Sequence, residues 1–281
     1  MIPLPTVVLE EVVRRALQED LSPAGDPSGA LVAGDALARG EIVAREAGVI
    51  GGLEAVALAF HLVDARVVVQ PRVREGASVA AGTVLVTLEG PAAGILAAER
   101  SALNLLARMS GVASATARLV EQLAGLKTKV LCTRKTMPGL RAVDKYAVRL
   151  GGGLNHRLGL GDGVLIKDNH IALAGSVAEA MRRVKGRVGP MCPIEVEVED
   201  LSGLEEALAE GPAMILLDNM TPGQCAEAVR LVAGRVPLEA SGGITVENAR
   251  AYGEAGVDYL SAGWLTHSAC ALDCSLDISG P

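Results

Sequence analysis

The feature that most limits the possible folds is a repeated alternation of short strands and helices from Lys127 onward. Six apolar segments each end in polar residues and are followed by helical stretches: KVLCTRK, GVLIKD, IEVEVE, AMILLDN, PLEASGG and VDYLSAG. Successive strand ends lie roughly 20 to 35 residues apart, which is the length of a βα unit. Such units in series predict a parallel sheet closed into a (β/α) barrel, with its chemistry at the carboxyl ends of the strands.

The residues before this region predict a separate α+β domain. Strand-sized segments occur in GEIVARE, ARVVVQPRV and GTVLVTLEG, and a long amphipathic helix is predicted over ILAAERSALNLLARM. The stretch REGASVAAGTVLVTLEG predicts β-hairpins. It resembles the hairpins of biotinyl and lipoyl carriers, but it contains no lysine to be modified.

Composition excludes several classes of function. The 281-residue chain is 50% apolar with only one Trp, three Tyr and one Phe, which suits parallel strands covered by helices. Its net charge of −7 argues against a broad nucleic-acid surface. Glu10 and Glu11 interrupt any signal peptide, and no apolar run reaches membrane-span length, so a cytoplasmic protein without membrane contact is expected. The five cysteines lack CxxC spacing and indicate neither disulfides nor a zinc site: Cys132, Cys192, Cys225, Cys270 and Cys274.

Against this acidic balance, a basic window extends from Thr133 to Ile171 and holds seven Lys and Arg residues. Four of these cations lie at or just beyond predicted strand ends and can converge on an anion: Arg134, Lys135, Arg157 and Lys167. The other three follow four-residue helical steps and are more typical of a solvated helix face: Arg141, Lys145 and Arg149. His156 follows three consecutive glycines beside Arg157, where a structural role and a ligand role are equally open.

Carboxylates and glycines accompany the cations at the predicted strand ends. Glu195, Glu197 and Glu199 alternate with apolar residues, so the spacing predicts that they share one strand face. Glu197 and Asp218 end neighbouring strands and together suit Mg²⁺ carried with a substrate phosphate. Two late strand ends rich in small residues predict a phosphate site, although each could be an ordinary tight turn: Ser241, Gly242 and Gly243, followed by Ala262 and Gly263.

These parts require a sugar phosphate bearing a Mg²⁺-chelated pyrophosphate beside a small polyanionic acid. The motifs that carry them resemble the quinolinate phosphoribosyltransferase family over essentially the whole chain: ERSALNLLARMSGVAS, TRKTMPGLRAVDKYAVRLGGGLNHRLGL, VLIKDNHI, IEVEVEDL, ILLDNM, EASGGIT and GVDYLSAGWLTHSACALDCSLDI. Met137 departs from the family pattern, which frequently has Thr at that position, and Leu154 occupies a variable glycine-loop position.

The resemblance implies an α/β fold with an N-terminal α/β sandwich over residues 1–112, including an interdomain helix. An incomplete (β/α) barrel follows over residues 113–281, with a C-terminal tail packed back on the first domain. It implies Mg²⁺-dependent transfer of phosphoribose from phosphoribosyl pyrophosphate to quinolinate, with decarboxylation to nicotinate mononucleotide, in NAD biosynthesis. A homodimer or an assembly of dimers is also implied, in which Arg100 reaches the neighbouring subunit's site.

The same resemblance assigns roles to individual residues. Quinolinate is expected to bind Arg100, Thr133, Arg134, His156, Arg157 and Lys167. Phosphoribosyl pyrophosphate is expected to bind Lys135, Glu197, Asp218, Ser241, Gly242, Gly243, Ala262 and Gly263. The catalytic set is Lys135, Lys167, Glu197 and Asp218, of which Glu197 and Asp218 hold Mg²⁺ directly or through substrate or water.

Three alternatives stay open on the sequence. Lys167 at a barrel strand end could form a Schiff base in an aldolase-like lyase. The chain could bind a sugar phosphate without catalysis. It could also be a paralogue that uses another acceptor acid, such as nicotinate.

Overall fold

A computed structural model describes residues 2–279 of the chain. The described residues form two compact units, one of residues 2–117, 136–152 and 265–279, the other of residues 118–135 and 153–264. Both units therefore combine segments from distant parts of the chain. The boundary expected after residue 112 falls inside a helix, Ala92–Gln122.

The first unit contains helices and a small antiparallel sheet. Its helices are α1 (Thr6–Leu21), α2 (Pro27–Ala33), α3 (Leu53–Val63), the first part of α4 (Ala92–Gln122) and α5 (Arg141–Leu150). Its strands are β1 (Leu37–Ala44), β2 (Gly48–Val49), β3 (Val68–Pro71), β4 (Ser78–Val79), β5 (Val84–Pro91) and β12 (Cys274–Ser279).

The main sheet of this unit has the order β12-β1-β5-β3, and its strand pairs are antiparallel. The last described strand of the chain pairs with the first, from Arg39 opposite Ser279 to Ala44 opposite Cys274. Alternate residues of β1 are buried at Ala38 and Ile42, as expected for a sheet with one covered face.

The hairpin expected between Arg74 and Gly90 is not formed. Strand β4 pairs with β2 instead, with Val79 opposite Gly48. Gly76 and Gly82 have φ angles of +77° and +83°, so the chain turns sharply on either side of β4 and leaves β5 to pair with β3.

The solvated face expected for α5 is wrong at Lys145, which is only 2% exposed. The preceding residue, Asp144, is fully buried and accepts hydrogen bonds of 3.0 Å from Nε and Nη2 of Arg108. Four-residue spacing shows that side chains share a helix face, but it does not show whether that face meets solvent or a neighbouring element.

The second unit alternates strands and helices. Its strands are β6 (Lys129–Leu131), β7 (Val164–Ile166), β8 (Ile194–Val198), β9 (Met214–Asp218), β10 (Leu238–Ser241) and β11 (Tyr259–Ser261). Its helices are α6 (Asp168–Ala174), α7 (Val177–Val184), α8 (Leu201–Glu210), α9 (Pro222–Val232) and α10 (Ala249–Ala255), and α11 (Trp264–His267) begins at its last residue.

These six strands form one parallel sheet in the order β6-β11-β10-β9-β8-β7. A single parallel bridge joins Leu131 of β6 to Leu154. The βα rhythm of the sequence therefore corresponds to an incomplete (β/α) barrel, and the predicted fold class is confirmed. All six strands end at the same edge, so their polar ends are brought together.

No helix in the described part of the chain is both long and apolar enough to cross a membrane.

Candidate active site

The barrel gathers most of the residues that the sequence nominates, because they end its strands or follow them directly. Thr133, Arg134 and Lys135 follow β6, Lys167 follows β7, Glu197 is in β8 and Asp218 ends β9. The small residues Ser241, Gly242 and Gly243 lie at the end of β10, and Ala262 and Gly263 follow β11. Arg100 belongs to α4 in the other unit, where its side chain is 64% exposed.

A lysine and two carboxylates form the centre of this edge. The Lys167 ammonium donates a hydrogen bond to Oε2 of Glu197, whose side chain is only 9% exposed. Burial raises the pKa of Glu197; the bond from Lys167 lowers it, and the charges of Asp218 and Asp168 raise it further. The Glu197 and Asp218 carboxylates are thus close enough to repel each other.

These residues can be compared with the Mg²⁺ that the resemblance implies. Two carboxylates on adjacent strands supply the hard oxygen ligands that Mg²⁺ prefers. A cation between them would relieve the repulsion that raises the pKa of Glu197. The donor set therefore fits, with Glu197 and Asp218 as the residues that would hold the ion.

Glu199 does not join this group. Strand β8 ends at Val198, and Glu199 is exposed beyond it. The alternation expected for three carboxylates holds only for Glu195 and Glu197, because period 2 applies only while the strand continues.

The glycine loop after β10 is left-handed. Gly242 and Gly243 have φ angles of +90° and +62°, and the space that a Gly243 side chain would fill is open. The loop is held by its neighbours, since Asn248 Nδ2 donates to the Gly243 carbonyl and Trp264 Nε1 to the Ile244 carbonyl, both at 2.8 Å. A fixed backbone with open space above it suits close approach of a phosphate.

Two guanidinium groups lie close together in the same unit. Burial lowers the pKa of Arg157, and the positive charge of Arg134 lowers it further. Arg157 Nη1 donates to the Gly163 carbonyl at 2.8 Å, which fixes the guanidinium in place. Two cations held side by side favour an anion that contacts both, such as a dicarboxylate.

His156 has chain partners at both ring nitrogens. The backbone N–H of Arg157 donates to Nδ1 at 2.8 Å, so the ring proton is on Nε2, which lies 2.7 Å from Oε2 of Glu195 and 3.9 Å from Glu239. A nitrogen and two carboxylate oxygens of this trio lie within 4.8 Å of one another, a spacing compatible with a metal ion. Because Nε2 carries the proton, these hydrogen bonds favour a proton network over a metal site.

Glu239 is a member of this network that the sequence did not single out. It is 1% exposed; burial raises its pKa, the Glu195 charge raises it further, and His156 and the Ser261 hydroxyl act in the opposite direction. Oε2 of Glu239 and Oε1 of Glu195 both lack a hydrogen-bond partner among residues 2–279. Glu239 could have been identified from the sequence, because it is the one charged residue in the otherwise apolar segment VPLEA.

His156, Arg157 and Glu195 also line a cavity of about 470 Å³. Its other walls include Val164, Met214 and others that begin strands, so it lies toward the amino ends of the barrel strands. The nominated residues thus extend from the carboxyl edge, where Lys167 stands, into the barrel interior.

The fold and this site define a (β/α)-barrel protein whose strand ends combine paired carboxylates, clustered cations and a glycine loop. This is the class of barrel enzyme that handles small phosphorylated anions.

Comparison with known proteins gives the family. The family models described as the quinolinate phosphoribosyl transferase N-terminal and C-terminal domains match residues 28–110 and 112–277. The nicotinate-nucleotide pyrophosphorylase (carboxylating) of Mycobacterium leprae is 47% identical over 276 residues, covering 95% of this chain and 96% of its own. A probable enzyme of the same name from Bacillus subtilis is 41% identical, covering 96% and 93%. The crystal structure of NadC from Streptococcus pyogenes superposes with a TM-score of 0.95 at 39% identity, covering 100% of both chains. This chain belongs to the quinolinate phosphoribosyl transferase family.

Proposed function

We propose that this chain transfers the phosphoribosyl group of phosphoribosyl pyrophosphate to the ring nitrogen of quinolinate. The products are nicotinate mononucleotide, pyrophosphate and CO₂, a step of NAD biosynthesis. The observation that carries the proposal is the arrangement of Lys167, Glu197 and Asp218 on adjacent strand ends beside the Ser241–Gly243 loop. Family membership points to the same reaction.

Substrate binding follows from the charges of the barrel. Arg134 and Arg157 would hold the two quinolinate carboxylates, with Lys167 nearby and Arg100 supplied by a second chain. The glycine loop would take the ribose phosphate. Glu197 and Asp218 would orient the ribose hydroxyls or hold Mg²⁺, which when bound neutralises charge that develops on the departing pyrophosphate.

The reaction then needs positioning and charge stabilisation. The bond between C1′ and the pyrophosphate oxygen breaks with its electron pair on the oxygen, where Lys135 and Lys167 stabilise the charge, while C1′ gains oxocarbenium character. The ring nitrogen supplies the electron pair of the new bond to C1′. The adjacent carboxylate then leaves as CO₂, and the electron pair of the broken C–C bond stays on the ring carbon beside the positive nitrogen. A proton from solvent binds this pair and forms the C–H bond. No step uses a protein nucleophile.

His156 has a different place in this proposal from the one expected on the sequence. Because both ring nitrogens already have chain partners, it serves best by holding the backbone at Arg157. A direct contact with quinolinate would require one of these bonds to break.

One assay tests the function. Purified protein is given phosphoribosyl pyrophosphate and Mg²⁺ with either quinolinate or nicotinate, and pyrophosphate and CO₂ are measured. We expect both products with quinolinate, and their loss on chelation by EDTA.

Pyrophosphate release with nicotinate, without CO₂, would support the paralogue instead. Borohydride trapping of substrate on Lys167 would support the Schiff-base lyase, and binding of phosphoribosyl pyrophosphate without turnover would support the binding protein.

The homodimer, the cytoplasmic location and the role of Arg100 belong to the same proposal. The exposed side chain of Arg100 is consistent with a contact to another chain. A shared residue would make assembly necessary for activity.

A further inference from the structure

Asn219 has an unusual backbone conformation where β9 ends. Its φ is +55°, in the left-handed region that residues other than glycine seldom occupy and that asparagine tolerates better than most. It lies between Asp218, the last residue of β9, and the buried Met220. Backbone strain of this kind occurs at sites where the surrounding structure requires it.

The left-handed conformation brings the Asn219 side chain beside the Asp218 carboxylate. In an extended strand, neighbouring side chains point to opposite faces, so residue 219 would point away from Asp218. Here Asn219 Nδ2 instead donates to Oδ2 of Asp218 at 2.7 Å. This bond leaves Oδ1 of Asp218 for another partner and restricts rotation of the carboxylate.

The same residue also contacts the glycine loop of the next strand. Its backbone N–H donates to the Ser241 carbonyl at 2.9 Å, and Ser241 is the pairing partner of Asp218. A Cβ at Gly242 would lie 2.1 Å from Oδ1 of Asn219, so the amide covers the position that a side chain at Gly242 would occupy. Asn219 therefore contacts both the carboxylate and the loop.

We propose that Asn219 is a positioning residue for the phosphorylated sugar: it fixes the Asp218 carboxylate relative to the Ser241–Gly243 loop, so that both contact one phosphoribosyl group in a set geometry. This inference rests on the proposed function, because it assumes that these two elements share a substrate. It assigns Asn219 no direct contact with the reacting atoms.

Asn219→Gly separates positioning from stability. Glycine adopts the left-handed conformation without strain, so the melting temperature should stay the same or rise. The Kd for phosphoribosyl pyrophosphate and its kcat/KM should worsen by roughly 10- to 100-fold, the effect of losing a hydrogen bond to a charged group. The Kd for quinolinate should stay within about twofold. Asn219→Asp keeps the size and the backbone tolerance but removes the donor, so it should lose at least as much.

Ala233→Gly is the matched control. Ala233 has a φ of +51° at the end of α9, so this change also relieves left-handed strain. It should raise the melting temperature without altering any kinetic constant. Wild-type affinity and kcat/KM in Asn219→Gly, or equal losses for both substrates, would overturn the proposal.

Binding of phosphoribosyl pyrophosphate separates this inference from the proposed function. If the wild type binds that compound but releases no pyrophosphate, the proposed function is wrong and the Kd comparison still decides the role of Asn219. If the wild type does not bind it, both are wrong.

Discussion

Lys167, directly after β7, donates a hydrogen bond to Glu197 in the neighbouring strand β8. The bond joins a part-exposed ammonium to a carboxylate with little solvent access, at the edge where the barrel strands end. Removing the lysine would leave Glu197 beside Asp218 with their repulsion less compensated.

We therefore expect Lys167→Ala to reduce kcat/KM by about 100-fold or more, the usual effect of deleting one charge-stabilising donor. Lys185→Ala is the matched control, since Lys185 also pairs with a glutamate in this unit and the two lysine side chains are 44% and 41% exposed. Steady-state assays with each substrate varied measure the effect. Equal kinetics for the two variants would remove Lys167 from the site.

Arg134→Ala should specifically weaken the use of quinolinate. Loss of a charged hydrogen bond costs about 1.5 to 3 kcal/mol, or roughly 10- to 150-fold in kcat/KM for quinolinate. Arg182→Ala removes an arginine of the same unit whose partner is Glu179 at a solvent-exposed site, and it should change little. An unchanged kcat/KM for Arg134→Ala would contradict the assignment.

Mixing impaired variants tests whether Arg100 acts across subunits. In an equimolar mixture of Arg100→Ala and Lys135→Ala, about half of the dimers are heterodimers and each has one intact site, so about a quarter of the sites should recover. A mixture of Arg134→Ala and Lys135→Ala should show no gain over the separate variants, because every site of a heterodimer then carries one of the two changes. If subunit exchange is demonstrated and neither mixture gains activity over its separate variants, the shared site is wrong.

Gly242→Ala should impair the phosphate loop. The new methyl group would lie 2.1 Å from Oδ1 of Asn219, and the residue would also be strained by its φ of +90°. We expect KM for phosphoribosyl pyrophosphate to rise by roughly tenfold or more, together with a loss of about 1 to 3 kcal/mol in the free energy of unfolding. Gly234→Ala carries a similar φ of +76° in open space. It should reproduce only the backbone part of the stability loss, with KM unchanged, and a similar KM in both variants would contradict a steric cause.

Glu239 should make stability depend on pH. Its pKa rises from 4.5 to about 7 on folding, so between these values the folded chain binds more protons than the unfolded chain. The free energy of unfolding therefore falls as pH rises from about 4.5 to about 7, and the full loss persists above that range.

Glu239→Gln should remove this dependence while keeping an amide oxygen that can accept a hydrogen bond from Ser261. Denaturant titrations at several pH values should show a flatter profile and equal or greater stability at pH 8. Glu206→Gln, at an exposed glutamate of the same unit, should keep the wild-type profile. If the free energy of unfolding of Glu239→Gln falls with pH as steeply as that of the wild type, another group causes the pH dependence.

The sequence is sufficient to predict the barrel because strand period, helix period and strand-end polarity all recur within short windows. Lys167, Glu197 and Asp218 could be nominated for that reason: parallel strands bring their ends together whatever the details of packing. The same reasoning finds the glycines after β10, since left-handed loops strongly favour that residue.

Other features depend on contacts distant in sequence. Burial of Lys145 and the pairing of β4 with β2 are set by which element covers which face, and local periodicity does not encode this. No pattern in the sequence predicts the two hydrogen bonds of the His156 ring or the left-handed φ of Asn219. Each of these features can be recognised only when the positions of the contacting residues are known.

The pairing of β12 with β1 has a consequence for synthesis. Cys274–Ser279 follows all six barrel strands in the sequence, whereas its partner Leu37–Ala44 precedes them. The edge of β1 that β12 covers therefore stays unpaired while the barrel is translated. An unpaired strand edge can form hydrogen bonds with other chains. Strand β12 closes that edge, so this sheet is completed only after the barrel has been translated.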